Sequence, residues 1–345
     1  ESTDTNRITS FDSDGFTLGT DGDINENGET FVAWCWKANG GTTSSNSDGT
    51  ITSTVQANTD AGFSIIKYTG NGSAGATIGH NLGVIPDMFI VKMLTDAGNN
   101  WRVYHKGIDS TSPQNYNLAL NSNSARFDRT EWNDTAPTNA LFSLGTNTKA
   151  NGNNNPHIAY CFHSVSGYSK FGSYSGNGSA TGTSVTTGFR PAFLMIKKNA
   201  ASNWLMFDNV RSDSIVTDIG EHLHADYPRS EAGCASAQIK VDFNATGFQW
   251  KGTSADVNGN GDTYIYMCFA GGADAVSTVN TTGSIDSRVK ANPTYGQSIV
   301  SYTGQSGAQT IGHGLSSAPE VVLVKNRSDA DEWLMYHHSL TDAKD

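Results

Sequence analysis

Two stretches carry oxygen-bearing side chains at alternate positions ahead of a glycine: Asp23-x-Asn25-x-Asn27-Gly28 and Asp256-x-Asn258-x-Asn260-Gly261-Asp262. Alternating Asp and Asn oxygens that converge as the chain turns at Gly are the opening of an oxygen-ligand calcium loop. The twelfth position, which a bidentate Glu fills in such loops, is Trp34 in one stretch and Met267 in the other. In a related stretch Lys149 stands where the first Asp belongs. The same residues also make a polar hairpin turn in which Asn and Gly supply positive φ. Calcium is therefore the one cofactor the sequence raises, against a default expectation of none.

Hydrolytic chemistry would need a pair of carboxylates about 5–10 Å apart with unlike pKa values. Asp109, Asp128, Glu131 and Asp134 cluster in one stretch, and Asp213, Asp218, Glu221 and Asp226 in another. Both lie in loop-rich sequence, where solvation is the default. No Gly-x-Ser-x-Gly elbow, HExxH pair or phosphate loop occurs, and no enzymatic activity is expected.

Trp132 lies in Arg129-Thr130-Glu131-Trp132-Asn133-Asp134. An aromatic flanked by Asn and Asp suits stacking on a sugar ring, so Glu131, Trp132, Asn133 and Asp134 form the candidate ligand-binding set. The competing reading is a Trp that plugs the open end of a β-sandwich. His80 and His313 share Thr-Ile-Gly-His, while His105 and His337 each follow a Tyr; Phe189 and Asp208 stand at the matching places of an intervening copy. A swap of that kind points to local hydrogen bonding rather than shared catalysis.

Charge and composition narrow the partners. The 345 residues carry a formal charge of −11 and no basic cluster, which argues against a nucleic-acid partner. No apolar run approaches the ~20 residues that cross a bilayer, so membrane insertion is not expected. Cys35, Cys161, Cys234 and Cys268 have no CxxC or CxxH spacing, and buried free thiols are expected in place of zinc or disulfides. The chain starts at Glu1 without a signal peptide or initiator Met, as a processed or trimmed product would. Asn-x-Ser/Thr sequons such as Asn71, Asn133 and Asn177 reflect the Asn-rich composition.

These residues are positioned by a recurring unit of a little over 100 residues. Tyr68-Thr69-Gly70-Asn71-Gly72 returns as Tyr174-Ser175-Gly176-Asn177-Gly178 and as Tyr302-Thr303-Gly304-Gln305. Pro86, Pro191 and Pro319 follow, each with a Lys six residues on (Lys92, Lys197, Lys325), then Trp101, Trp204 and Trp333. A closing block reads Phe31-Val32-Ala33-Trp34-Cys35-Trp36, His157-Ile158-Ala159-Tyr160-Cys161-Phe162 and Tyr264-Ile265-Tyr266-Met267-Cys268-Phe269. The division is residues 1–48 (end of a first repeat), 49–165 and 166–272 (complete repeats) and 273–345 (start of a further repeat). Either the chain is a window on a longer array, or its two half-repeats pair into a third domain; the absent Met favours the window.

Alternation in the closing block marks strands. Val32, Trp34 and Trp36 should face the core, and the opposite face should be covered but less tightly packed. Runs at 88–94, 192–197 and 321–325 are rich in β-branched and bulky residues. Gly, Asn and Ser turns punctuate at sandwich intervals, and residues 215–224 are the best helix candidate. The expected fold is all-β, tandem lectin- or jelly-roll-like sandwiches.

The series Tyr68-Thr69-Gly70-Asn71-Gly72, Ile78-Gly79-His80-Asn81-Leu82-Gly83, Pro86, Ile90-Val91-Lys92, Trp101 and Tyr104-His105 resembles an uncharacterised repeat domain of tailed-phage virion proteins, chiefly of marine phages. Ala159-Tyr160-Cys161-Phe162, Gly167-Tyr168-Ser169-Lys170-Phe171-Gly172-Ser173-Tyr174 and Ala33-Trp34-Cys35-Trp36-Lys37-Ala38 resemble it too. The middle copy departs most, lacking the Gly-His pair before its Pro. The resemblance implies a virion protein, part of a tail fibre or similar appendage at the particle surface. Its partners would be other virion subunits, copies of itself (a trimer if a fibre) and host surface polysaccharide. It brings no catalytic residues. A capsid or tail decoration or spacer, a polysaccharide depolymerase and a bacterial adhesin are the rival expectations.

Overall fold

A computed structural model describes residues 6–96, 98–211, 217–234, 236–272 and 277–337. The protein is all-β, built on three large antiparallel sheets. Each places a closing-block strand between two others. In sheet I, Pro156–Phe162 lies between Phe63–Thr69 and Met88–Met93. In sheet II, Thr263–Ala270 lies between Ser169–Ser175 and Pro191–Lys198. In sheet III, Thr30–Trp36 lies between Gln297–Thr303 and Val321–Asn326. In sheet III the register is regular, with Trp34 opposite Ile299 on one side and Leu323 on the other.

Sheet III is therefore assembled from both ends of the chain. Of the two arrangements open for the half-repeats, the pairing one is seen: Thr30–Trp36 of the first pairs with Gln297–Thr303 and Val321–Asn326 of the last. The cause is the unpaired edges on either side of Thr30–Trp36, whose backbone groups must find partners once buried.

A small sheet covers the outer face of each large one: Ala76–Gly79 with Leu141–Leu144, Ser184–Thr186 with Gly247–Trp250 and Val241–Asn244, and Gln309–Gly312 with Gly15–Leu18 and Ile8–Phe11. Three two-layered cores result. Phe31, Ala33 and Cys35 fill one, Ala159 and Cys161 another, and Tyr264, Tyr266 and Cys268 the third. This face was expected to be the looser one, yet Ala33, Cys35, Ala159 and Cys268 have no exposed surface. All four cysteines are buried and free.

The alternate residues of the same strands point the other way, into a fourth core common to all three sheets. Val32, Trp34 and Trp36 meet Ile158, Tyr160 and Phe162 and Ile265, Met267 and Phe269 there. Ring contacts cross each sheet boundary: Trp36 with Phe269 at 6.3 Å, Phe162 with Phe269 at 6.3 Å, and Tyr160 with His337 at 5.9 Å. A period-two strand with both faces apolar is what a layer buried on both sides requires.

Residues 215–224 form no helix where they are described (217–224). Ile219 bridges to Val241, and Leu223–His224 adds to the edge of sheet II. The sheet edge offers hydrogen bonds that override a weak helical period. Residues 215 and 216, like Asp213, lie outside the described residues. No described helix is long and apolar enough to cross a membrane.

Candidate functional site

The loop expected to bind a sugar is folded inward. Thr130–Trp132 is a single 3-10 turn closed by Asn133 in the left-handed region, φ 52°. Trp132 is 1 % exposed, meets Phe89 edge-on at 4.7 Å, and donates its indole N–H to Tyr116 O at 3.1 Å. Glu131 is fully buried; Asn117 and Asn147 donate to its carboxylate at 2.8 and 3.1 Å, and Arg102 lies 3.6 Å away. Burial pushes the Glu131 carboxyl up against the opposing pull of Arg102. The sugar-platform reading of Trp132 and Glu131 is thus corrected: the Trp plugs the end of its sandwich and the Glu anchors the plug. Asn133 and Asp134 remain at the surface.

The calcium-like stretches form a clasp between the two sequence blocks of a sandwich. Asn25, Asn151 and Asn258 are each at most 1 % exposed. The Asn151 carboxamide oxygen accepts from Asn71 N and Gly72 N, while its amide donates to Ser73 O and Gly145 O. Asn258 accepts from Asn177 N and donates to Ser179 O and Gly252 O; Asn25 accepts from Gln305 N and donates to Gly19 O and Gly307 O. A tyrosine hydroxyl locks each clasp: Tyr68 to Ala150 O, Tyr174 to Val257 O and Tyr302 to Ile24 O, at 2.6–2.8 Å. The glycine of the Tyr-x-Gly motif is needed for space, since a Cβ on Gly176 would lie 2.2 Å from Gly259 O.

The buried oxygens of Asn25 and Asn258, central to each candidate cation loop, are therefore engaged by backbone N–H groups. Asp23 pairs with Arg7, and Asp256 accepts from Ser202, while Asn27 and Asn260 are exposed. No group of three metal-binding side chains occurs among the described residues. Asn151→Ala is expected to cost about 2–4 kcal/mol by leaving buried backbone groups unpaired. The wild-type melting temperature should be the same in calcium and in chelator; a rise with calcium would restore the metal reading.

The histidines serve the fold in the same way. His80 Nδ1 accepts from Leu82 N and His313 Nδ1 from Leu315 N; their Nε2 atoms face Thr138 O and Asp12 O at 3.2 Å. His105 accepts from Gly107 N and faces Tyr266 O of sheet II at 3.1 Å. At the matching place Asp208 accepts from Val210 N and Arg211 N. An imidazole nitrogen and a carboxylate oxygen thus do one job, which explains the swap. Burial lowers His105 to about 4.

Among the carboxylates, Asp109 is held well below the usual range by the Ser112 and Thr111 N–H groups, the Thr111 hydroxyl and Arg126. Asp128, Asp134 and Asp218 are exposed, and Glu221 is half-buried. Asp226 accepts the Trp204 N–H at 2.8 Å, and burial raises it to about 6. A raised carboxyl costs stability once ionised, so Asp226→Asn should stabilise by about 1–2 kcal/mol at pH 7. The gain should fade toward pH 3, where Asp226 is protonated in both folded and unfolded states. Urea midpoints at the two pH values check this.

Two features went unassigned in the sequence, one recurring and one not. Lys92, Lys197 and Lys325 are buried and cap hairpin loops with their ammonium groups, Lys92 on Asp96 O and Asn99 O, Lys197 on Lys198 O and Ala200 O, Lys325 on Asn326 O and Asp329 O. Their regular spacing after Pro was the available signal. Glu231 ties sheet II to sheet III by pairing with both Arg211 and Arg327, and no spacing announced it. The open concavity of note is a groove of about 460 Å³ in the third sandwich, lined by Thr278, Val279, Asn280, Lys290 and Pro293. Val279 is 69 % exposed on its rim.

The sequence profile of one family, described as a domain of unknown function (DUF7483), matches residues 1–273 and again 271–345. No curated protein and no solved structure matches the chain.

Proposed function

The chain belongs to the DUF7483 family of domains of unknown function; on its sequence resemblance to a tailed-phage virion repeat, we propose that it is a non-enzymatic structural protein of a tailed-phage virion, part of a tail fibre or similar surface appendage. Its three sandwiches are three copies of one lectin-like unit, fused around a shared core into a rigid support for surface loops. The observation that carries this reading is how the titratable side chains with catalytic or ligand-binding promise are used. Glu131, Asp208, Asp226, His80, His105 and His313 all hold backbone or neighbouring groups in place. Rigid sheets that project polar loops suit attachment to host surface polysaccharide, where weak sites add through avidity. The groove lined by Thr278, Asn280 and Lys290 is the place for such a ligand, and the surface loop of Asn133 and Asp134 in the first sandwich is a separate candidate.

Labelled protein should bind polysaccharide-bearing cells and lose that binding when the polysaccharide is stripped. It should release no reducing ends; release would establish a depolymerase. The fibre reading brings homo-oligomerisation with it, a trimer, which sedimentation against the 36.7 kDa chain measures.

Burial of Trp132 favours a second reading, a decoration or spacer that touches only other virion subunits. Absence of cell binding by the folded protein would select it.

A further inference from the structure

Asn-Gly occurs seven times in the chain, at Asn27, Asn39, Asn71, Asn151, Asn177, Asn258 and Asn260. The pair can react with itself. The glycine backbone nitrogen attacks the Asn Cγ, and a C–N bond forms as the amide leaves as ammonia, carrying off the glycine N–H proton. Water then opens the succinimide ring at either carbonyl, leaving aspartate or isoaspartate. Glycine offers its nitrogen most readily because no Cβ shields it. An N–H already donated to a fixed acceptor must first give up that bond.

Six of the seven glycine N–H groups are tied in this way. Gly28 N donates to Gly304 O at 3.0 Å, Gly72 N to Asn151 O at 3.0 Å, Gly178 N to Asn258 O at 2.8 Å and Gly261 N to Gly176 O at 2.9 Å. Gly152 N donates to His157 Nε2 at 3.4 Å, and Gly259 N to the Tyr264 hydroxyl oxygen at 2.8 Å. All six belong to the clasps, so the bonds that join the two blocks of each sandwich also shield its Asn-Gly pairs.

Gly40 is the exception, and its N–H has no acceptor among the described residues. The reason is local. Residues 39–42 form a β-turn closed by Thr42 N donating to Asn39 O at 3.1 Å, with Gly40 at φ 61° and Gly41 at φ 79°. Two positive φ values in succession are what a type I′ turn requires. The first of its central residues takes no part in the closing bond. Glu320 holds the flanks, its carboxylate accepting from Ala38 N and, at 2.7 Å, from Gly41 N. Asn39 and Gly40 are both exposed, and a Cβ on Gly40 would meet nothing within 4 Å. The nitrogen is therefore unpaired, unshielded and next to an exposed carboxamide.

We propose that Asn39 is a self-modification site of the folded protein, with water as the only co-reactant and aspartate and isoaspartate as the products. The change adds negative charge to a chain already at −11. It falls in the segment that joins Thr30–Trp36 of sheet III to Ser44–Asn46 at the edge of sheet I. The isoaspartyl product also lengthens the main chain by a methylene between the two N–H groups that Glu320 holds.

The test follows the full chain in warm, mildly alkaline buffer by peptide mapping and mass spectrometry, native and unfolded in guanidinium chloride. Unfolded, all seven sites should lose ammonia at rates within a few-fold of one another. Folded, the six tied sites should slow by about ten-fold or more, the effect of one retained hydrogen bond, while Asn39 keeps its unfolded rate within a few-fold. Isoaspartate should appear in the Asn39 peptide, and Asn39→Gln, which would have to close a larger ring, should end ammonia loss there without changing the circular dichroism spectrum. Native conversion led by any other Asn-Gly pair, or Asn39 slowed as much as the other six, would overturn the assignment.

Discussion

Phe269→Ala is expected to destabilise the protein by about 3–5 kcal/mol, the usual cost of emptying a large core aromatic site, and to weaken all three sheets in one transition. Phe269 belongs to the central strand of sheet II, but its ring meets Trp36 of sheet III and Phe162 of sheet I, each at 6.3 Å. Phe193 at 6.1 Å and Phe171 at 5.9 Å close the ring of contacts. With aromatics on every side, the site cannot collapse onto a smaller residue, so the void persists. Urea unfolding followed by tryptophan fluorescence gives the magnitude. Native-state hydrogen exchange gives the extent: protection should fall together at Ile65, Ile265 and Ile299, one residue from each sheet. Loss confined to Ile265 would mean three sandwiches that fold independently.

The second large effect is acid sensitivity. His80, His105, His157, His222, His224 and His313 are all shifted below the ordinary imidazole value, with burial the leading cause in each. His105 and His224 fall to about 4. A histidine lowered in the folded state binds its proton first in the unfolded chain. Stability is therefore complete above about pH 6.5 and is lost progressively as pH falls toward 4. Lowering from an ordinary imidazole value near 6.5 to about 4 corresponds to roughly 3 kcal/mol for each of these two sites, as a ceiling. Asp226, raised to about 6, works in the opposite sense and offsets part of the loss. The free energy of unfolding at pH 4.5 should fall by several kcal/mol from its value at pH 7. His105→Asn should flatten the profile while keeping an acceptor for Gly107 N. A profile flat between pH 7 and 4.5 would contradict neutral buried imidazoles.

How much of this was legible in the sequence depended on whether a feature was local. Alternation in residues 31–36 marked a strand, and its two apolar faces are now seen to serve two different cores. The pairing of Thr30–Trp36 with Gln297–Thr303 and Val321–Asn326 joins segments more than 250 residues apart, and no local pattern encodes it. The clasp asparagines show a different difficulty. Asn25 and Asn258 have the type and spacing of cation ligands, and only the direction of their carboxamides, inward onto backbone N–H groups, separates a clasp from a metal site. Trp132 sits among polar neighbours because the loop around it is at the surface, while its own ring turns inward to Phe89. The Gly-His motif was readable as local bonding for a sound reason: a residue replaced by Phe189 in one copy and preserved in two is serving its own loop.

Closure of the third sandwich by the two ends of one chain is the premise of the scaffold reading, and a cross-link tests it most directly. Thr30 and Thr303 face each other across neighbouring strands, at the roughly 4.5–5.5 Å Cβ separation of antiparallel partners. A Thr30→Cys/Thr303→Cys variant, oxidised in dilute solution, should give a monomer whose digest contains a single peptide joining the two cysteines, with an unchanged circular dichroism spectrum. Folded protein that forms only intermolecular links, or none, would show that the chain ends do not share a sheet.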